Sequence, residues 1–425
     1  MAKPKTRLIA GIDLGSSKIS TVIAHSVSEE GGLSSNLNVV GVATSESKGI
    51  RKGQIVDPEE AIDSIIESIE AAERMAGYNL TSAYVSLGGA NVGSQNSHGV
   101  VAVSDPNGEI VATDVDRVIE AASAVSLPTA RELVHVIPRE FVVDGEVGVK
   151  NPVGMSGIRL EVETHIVSAS SAAIKNVEKV LHEAGIQIEE MVFTGLAASE
   201  AVLTKTEKEL GCVLIDIGGG TTSVAAYIDG ALASSFIIPI GSKNVTNDLA
   251  IGLRLSLESA EKVKISLSRY AGKRVRETPE EDQVDVSILG ADESKKISKK
   301  TLIEGIIKPR LNEIFSMVKI QLDRDNLSAR IPSGAIIAGG GANVIGCEES
   351  AKRVMGVPTR IGKPRGVSGL IDDIMNPAFA TPVGLILWGA STIPKSHVPN
   401  FTDRLKLPTK GFTGKLIEII KDLLP

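Results

Sequence analysis

Apolar residues along the chain fall into two matched groups of short runs, each broken by a tight polar turn. The first runs from Arg7, is apolar up to Ile12, turns at Asp13-Leu14-Gly15-Ser16-Ser17, resumes over 19–24 and has a third run at 38–44. About 200 residues later, residues 212–217 lead into Gly218-Gly219-Gly220-Thr221-Thr222, a second run to Ile228, an Asp229-Gly230 turn and a third run at 231–238. Short apolar runs bounded by Asp, Gly and Ser predict strands joined by turns. A three-strand meander recurring at half-chain distance predicts an α/β protein of two duplicated halves.

Between the meanders, Ala61, Ile62, Ile65, Ile66 and Ile69 recur at helical spacing behind Asp57-Pro58-Glu59, which predicts a capped helix. Residues 85–166 mix strand-like runs (100–103, 135–143, 159–167) with one helix at 114–125 and predict a small inserted α+β domain. Helices are expected at 173–184, 197–203, 244–253, 256–267 and 302–322, followed by a buried strand at 334–338 that ends in Gly339-Gly340-Gly341. The resulting division is a first half (1–84 and 167–207), the insert (85–166), a second half (208–254 and 301–391), a small charged subdomain (255–300), a linker (392–411) and a terminal segment (412–425).

The terminal segment has its own pattern. On a helical wheel Phe412, Leu416, Ile417, Ile419, Ile420, Leu423 and Leu424 fall within roughly 160°, with Lys415, Glu418, Lys421 and Asp422 on the other side. It is too short to span a bilayer. From Lys395 onward Lys395, Arg404, Lys406, Lys410, Lys415 and Lys421 outweigh Asp403, Glu418 and Asp422, so a positive tail follows a body that makes the whole chain −7. An amphipathic helix of this charge suits the surface of an anionic membrane.

Composition narrows the classes further. With 42% hydrophobic and 23% charged residues the chain is globular, and 3% aromatics with net negative charge argue against nucleic acid as a partner. Cys212 and Cys347 lie in apolar runs with no CxxC pair, which fits a reducing compartment. Asp13 interrupts any signal-peptide core, so no secretion signal is expected. The six histidines show no ligand spacing, and no transition-metal site is expected.

Gly-rich turns let backbone N–H groups approach phosphate, and a carboxylate beside them can hold Mg²⁺ through water. Asp13 and Asp216 stand before two such turns; Gly339-Gly340-Gly341-Ala342-Asn343 is a third, placed where backbone can lie against a nucleoside. Neither G-x-G-x-x-G nor a P-loop is spelled at these turns. The set Gly11-Ile-Asp13-Leu-Gly15-Ser16-Ser17-Lys18, Leu214-Ile-Asp216-Ile-Gly218-Gly219-Gly220-Thr221 and Ala338-Gly339-Gly340-Gly341 resembles the phosphate and adenosine motifs of the actin, Hsp70 and sugar-kinase superfamily. Asn244-Val-Thr-Asn-Asp-Leu-Ala-Ile-Gly-Leu253, Ser259-Ala-Glu261-Lys-Val-Lys264 and Thr381-Pro-Val-Gly384 narrow the resemblance to the FtsA family of bacterial cell-division proteins, over essentially the whole chain.

That resemblance implies an actin-like ATPase fold with ATP and Mg²⁺ between the halves. Asp13 and Asp216 would face the metal; Gly15, Ser16, Ser17, Lys18 and Gly218, Gly219, Gly220, Thr221 and Thr222 the phosphates; Glu261 and Lys264 the nucleoside, with Gly339, Gly340, Gly341 and Asn343 nearby. Glu200 stands where the superfamily often places a water-orienting residue, or is a helix-surface carboxylate. At most slow ATP hydrolysis is expected. The implied role is a filament on the cytoplasmic side of the cell membrane at the division site, tethering FtsZ through its C-terminal segment near 255–300 and recruiting later division proteins. A pilus-assembly adaptor and a sugar-kinase-like phosphotransferase are the alternatives; an Hsp70-like chaperone is disfavoured, because about 35 residues follow Gly389.

Overall fold

The computed structural model describes residues 6–27, 36–105, 107–269, 282–285, 296–369 and 372–391. The linker and the amphipathic terminal segment, with most of 270–295, lie outside the described residues. Two sheets carry the same strand plan. In the first half the order is Asn36–Glu46, Lys18–Val27, Thr6–Leu14, Ser82–Leu87, Gln187–Phe193, with Val367–Gly369 added beside Asn36–Glu46. In the second it is Ala231–Ile238, Thr222–Ile228, Cys212–Ile217, Ala335–Ala338, Thr359–Ile361. Each meander is antiparallel, and its first strand pairs in parallel with the strand after it, so the expected duplication holds for strand direction as well as order.

Central strands covered on both faces read as unbroken apolar runs. Every residue of Cys212–Ile217 and of Thr222–Ile228 is buried. The helix Pro58–Ala76 starts where Asp57 accepts the Glu60 N–H, has Pro58 in its first turn and ends at Gly77 in the left-handed region. Its stripe Ala61, Ile65, Ile69 and Ala72 packs on the first sheet. The expected helix at 302–322 extends over 299–324, with a π-helical turn, Ile303–Ile307, between Lys299–Leu302 and Lys308–Arg324. Pro309, near the start of that helix, has no N–H for the regular ladder, and the wider turn accommodates the missing bond.

Two helices without a polar stripe, Thr194–Val202 and Ala380–Ser391, are buried along most of their length. With Phe193, Leu214, Ala225, Ile336 and Ile386 they form a core shared by both halves. Their approach is close: a Cβ on Gly384 would run into the Ala197 carbonyl.

The insert is an antiparallel sheet ordered Gly93–Ala102, Arg159–Ser170, Arg131–Val143, Glu146–Val149, with helix Ala112–Ser123 and its own core of Ile110, Val118, Phe141, Leu160 and Val162. It belongs to the first half by chain connection, yet it docks on the second. Ser94 Oγ donates to the Ser235 carbonyl at 2.5 Å and Asn96 Nδ2 to the Ala233 carbonyl at 3.3 Å. That leaves Asn96 Oδ1 as acceptor for His165 Nδ1–H at 2.7 Å, so His165 Nε2 accepts from the Ser235 hydroxyl at 2.8 Å.

Candidate functional site

A cleft of about 1350 Å³ opens between the halves, lined at one end by Asp13, Gly15, Ser16, Ser17, Lys18, Asp216, Gly218, Gly219 and Thr221. The matched meanders place the two aspartates alike: Asp13 pairs with Ser20 and Asp216 with Ser223, each one residue before the end of its strand. Ser86 on the neighbouring parallel strand donates to Asp13 Oδ1 at 2.7 Å, and Thr381 donates to Asp216 Oδ2 at 2.9 Å.

Burial is the main electrostatic fact here. It raises Asp13 against the opposing pull of Ser86 and Lys18, and raises Asp216 to about 7 despite Thr381, with the Asp13 charge adding to the rise. Lys18 is lowered by burial, which the two carboxylates partly offset, and its ammonium lies 3.8 Å from the Phe379 ring centre. The donor set is all oxygen, and two carboxylates with raised pKa values, Asp216 buried and Asp13 half-buried, share one nearby ammonium. A hard divalent cation that keeps its waters and takes phosphate oxygens fits this set. Among the described residues no cluster of three His, Cys, Asp or Glu forms a closed metal cage, so such a cation would need the phosphates to complete its shell.

Glycine is required where the walls meet. A Cβ on Gly219 would overlap Ser17 Oγ, and Gly339, at φ 80°, has Asp216 Oδ1 and the Ile217 carbonyl where its Cβ would be. The turns are tied in register: the Gly218 N–H donates to Thr221 O, and the Ser242 and Lys243 N–H groups to Gly218 and Gly219 O, all at 2.9 Å.

At the far end Glu261 and Lys264 line the cleft from helix Leu257–Ser268, paired with each other at 2.7 Å; Gly339, Gly340 and Asn343 line it from the opposite wall. Three expected residues do not face the cavity. Gly220 backs on Ser16, Gly341 packs on Ile217, and Thr222 donates its hydroxyl to Ile240 O at 2.8 Å. Glu200 does not line the cleft either: its carboxylate accepts from Lys208 at 2.7 Å. Of its two readings, the helix carboxylate is the one this geometry fits, because helix Thr194–Val202 turns its small and apolar residues inward.

Sequence reasoning missed Ser86, Gly53, Lys243, Arg269 and Lys363. Gly53 N–H donates to Ser16 Oγ at 2.9 Å and Lys243 Nζ to Ser16 O at 2.7 Å, while Arg269 and Lys363 line the cavity. Ser86 carried a usable signal: Ser86-Leu87-Gly88-Gly89 repeats the strand-then-glycine pattern of the two aspartate turns.

The family model "Cell division protein FtsA" matches residues 213–384, and "SHS2 domain inserted in FTSA" matches 89–168, the span of the inserted sheet. The chain is 37% identical to the cell division protein FtsA of Pseudomonas aeruginosa over 383 residues, covering 90% of this chain and 89% of that one. It is 41% identical to the FtsA of Borreliella burgdorferi over 381 residues, 90% of each. Among solved structures a PilM-PilN type IV pilus biogenesis complex shares the fold at TM-score 0.62 and 17% identity, over 90% of this chain and 98% of the other. The halves, the insert and the cleft thus form an actin-like fold, and with two relatives above 30% identity along nine-tenths of its length the chain belongs to the FtsA family of cell division proteins.

Proposed function

We propose that the chain binds Mg·ATP in this cleft, polymerises on the inner face of the cytoplasmic membrane and tethers the FtsZ ring there, helping to recruit later division proteins. The observation that carries the reading is the pair Asp13 and Asp216, held in matching positions beside Gly-rich turns at the floor of one cleft, in a chain of the FtsA family. Mg²⁺ would neutralise phosphate charge beside these two carboxylates. Ser16, Ser17 and Lys18 on one wall and the backbone of Gly219 and Thr221 on the other supply the donors that hold phosphate oxygens. Glu261, Lys264 and Asn343 orient the nucleoside end. Such a set serves binding and slow turnover alike, so the nucleotide acts as a state marker for assembly more than as fuel.

The membrane part of the proposal rests on the sequence of 412–425. A helix with one apolar face and Lys415 and Lys421 on the other binds anionic lipid weakly on its own, and a filament that presents many copies multiplies that affinity. Liposome co-sedimentation with ATP, comparing the intact chain with one ending at Gly411, tests this directly. The intact chain should pellet and the shortened one stay in solution; equal pelleting removes the anchor. The likeness to the pilus protein lies at the level of fold and adds no argument for a pilus role.

A further inference from the structure

Helix Ala380–Ser391 touches both halves in different ways. Along its length it is bolted to the first half: a Cβ on Gly11 would stand 2.8 Å from Leu385 Cβ, Gly384 abuts the Ala197 backbone, and Gly389 lies against the Tyr84 ring. At its first turn it reaches the second half, where the buried Thr381 hydroxyl donates to Asp216 Oδ2 at 2.9 Å. Near its other end Trp388 Nε1 donates to Glu190 Oε2 at 2.9 Å, and the indole meets the His135 ring edge-on at 5.6 Å between centres.

We propose that Thr381 is a positioning residue that couples occupancy of Asp216 to this helix, so that the state of the cleft is reported at the Trp388–Glu190–His135 cluster about 10 Å along the helix axis. The proposal rests on the nucleotide reading of the cleft. A cation drawn to Asp216 competes with the Thr381 hydroxyl for the same carboxylate and changes the length and direction of that bond. Thr381 has little freedom to absorb the change alone, since a β-branched side chain in a helix is restricted at χ1 and its turn is buried. The glycine contacts pack the helix tightly against the first half, so a shift at the first turn is passed along the helix as a stiff element. Glu190 lies on Gln187–Phe193, the edge strand of the first sheet, and His135 is fixed by accepting the Phe193 N–H at 3.0 Å. The indole bond therefore ties the far end of this helix to the edge strand, where a shift passed along the helix changes the surroundings of the ring.

Trp388 is the one tryptophan in the chain, so its emission reads this cluster alone. Mg·ATP binding is measured by calorimetry and Trp388 emission at saturation, on the full chain and on Thr381→Val, with Thr381→Ser to restore the hydroxyl. The intact chain should change emission on binding; Thr381→Val should bind with affinity within about tenfold, yet show a change about threefold smaller or less, and Thr381→Ser should recover it. If valine disrupts folding, Thr381→Ala carries the same expectation. The proposal is overturned if the intact chain binds Mg·ATP without an emission change, if removal of the hydroxyl leaves that change intact, or if Thr381→Ser binds without recovering it. Absence of binding by the intact chain would instead remove the reading of the cleft, and the proposal with it.

Discussion

Asp216 carries opposite demands in the empty and filled cleft. Its pKa, raised from the ordinary carboxylate value of 3.8 to about 7 first by burial, means that between these pH values the folded chain holds a proton the unfolded chain has released. Stability of the nucleotide-free protein from this group is therefore greatest below about pH 4 and is lost as pH rises through 7, a cost on the order of 4 kcal/mol at pH 8. Asp216→Asn keeps an acceptor for Thr381 and removes the charge. It should raise the unfolding midpoint of the nucleotide-free protein at pH 8, flatten its slope between pH 4 and 7, and weaken Mg·ATP binding by at least about tenfold, as followed by thermal denaturation and calorimetry. A variant no more stable than the parent at pH 8 would show that the buried charge is compensated elsewhere.

Among the elements, the close pair Thr194–Val202 and Ala380–Ser391 is the most demanding of shape. Gly384→Ala places a methyl in the Ala197 carbonyl, and should lower stability in urea by about 1–3 kcal/mol while leaving the cleft residues unchanged. The sequence made some elements plain and hid others for physical reasons. Both meanders were legible because Asp and Gly occupy their turns, and the Pro58–Ala76 helix because Asp57 and five apolar residues at helical spacing announce it. Gln187–Phe193 was not: Glu189 and Glu190 disguise a strand that tolerates them at the edge of its sheet. Ala380–Ser391 shows no polar face, so periodicity has nothing to detect. In the cleft the glycine turns were visible, whereas the partners of the two aspartates, Ser86 and Thr381, come from strand and helix positions 73 and 165 residues away.

At the scale of the molecule, insert and second half are joined through a buried histidine. His165 is lowered to about 4 by burial, helped by Arg139, and His135 to about 4 by burial. A histidine depressed in the folded state binds its proton more readily when unfolded, so its contribution is intact above about pH 6.5 and is lost as pH falls toward 4. Denaturant unfolding at pH 7.5 and 5 should show this acid loss, and His165→Gln should reduce it; an unchanged slope would move the sensitivity to His135. The same contact protects an outer strand. An outer strand ordinarily offers its free carbonyls and amides to any passing chain as a template for another strand. Here the outward carbonyls of Ala233 and Ser235 are already taken by side chains of the insert. Ala231–Ile238 is thereby closed to strand addition along the stretch that the insert covers.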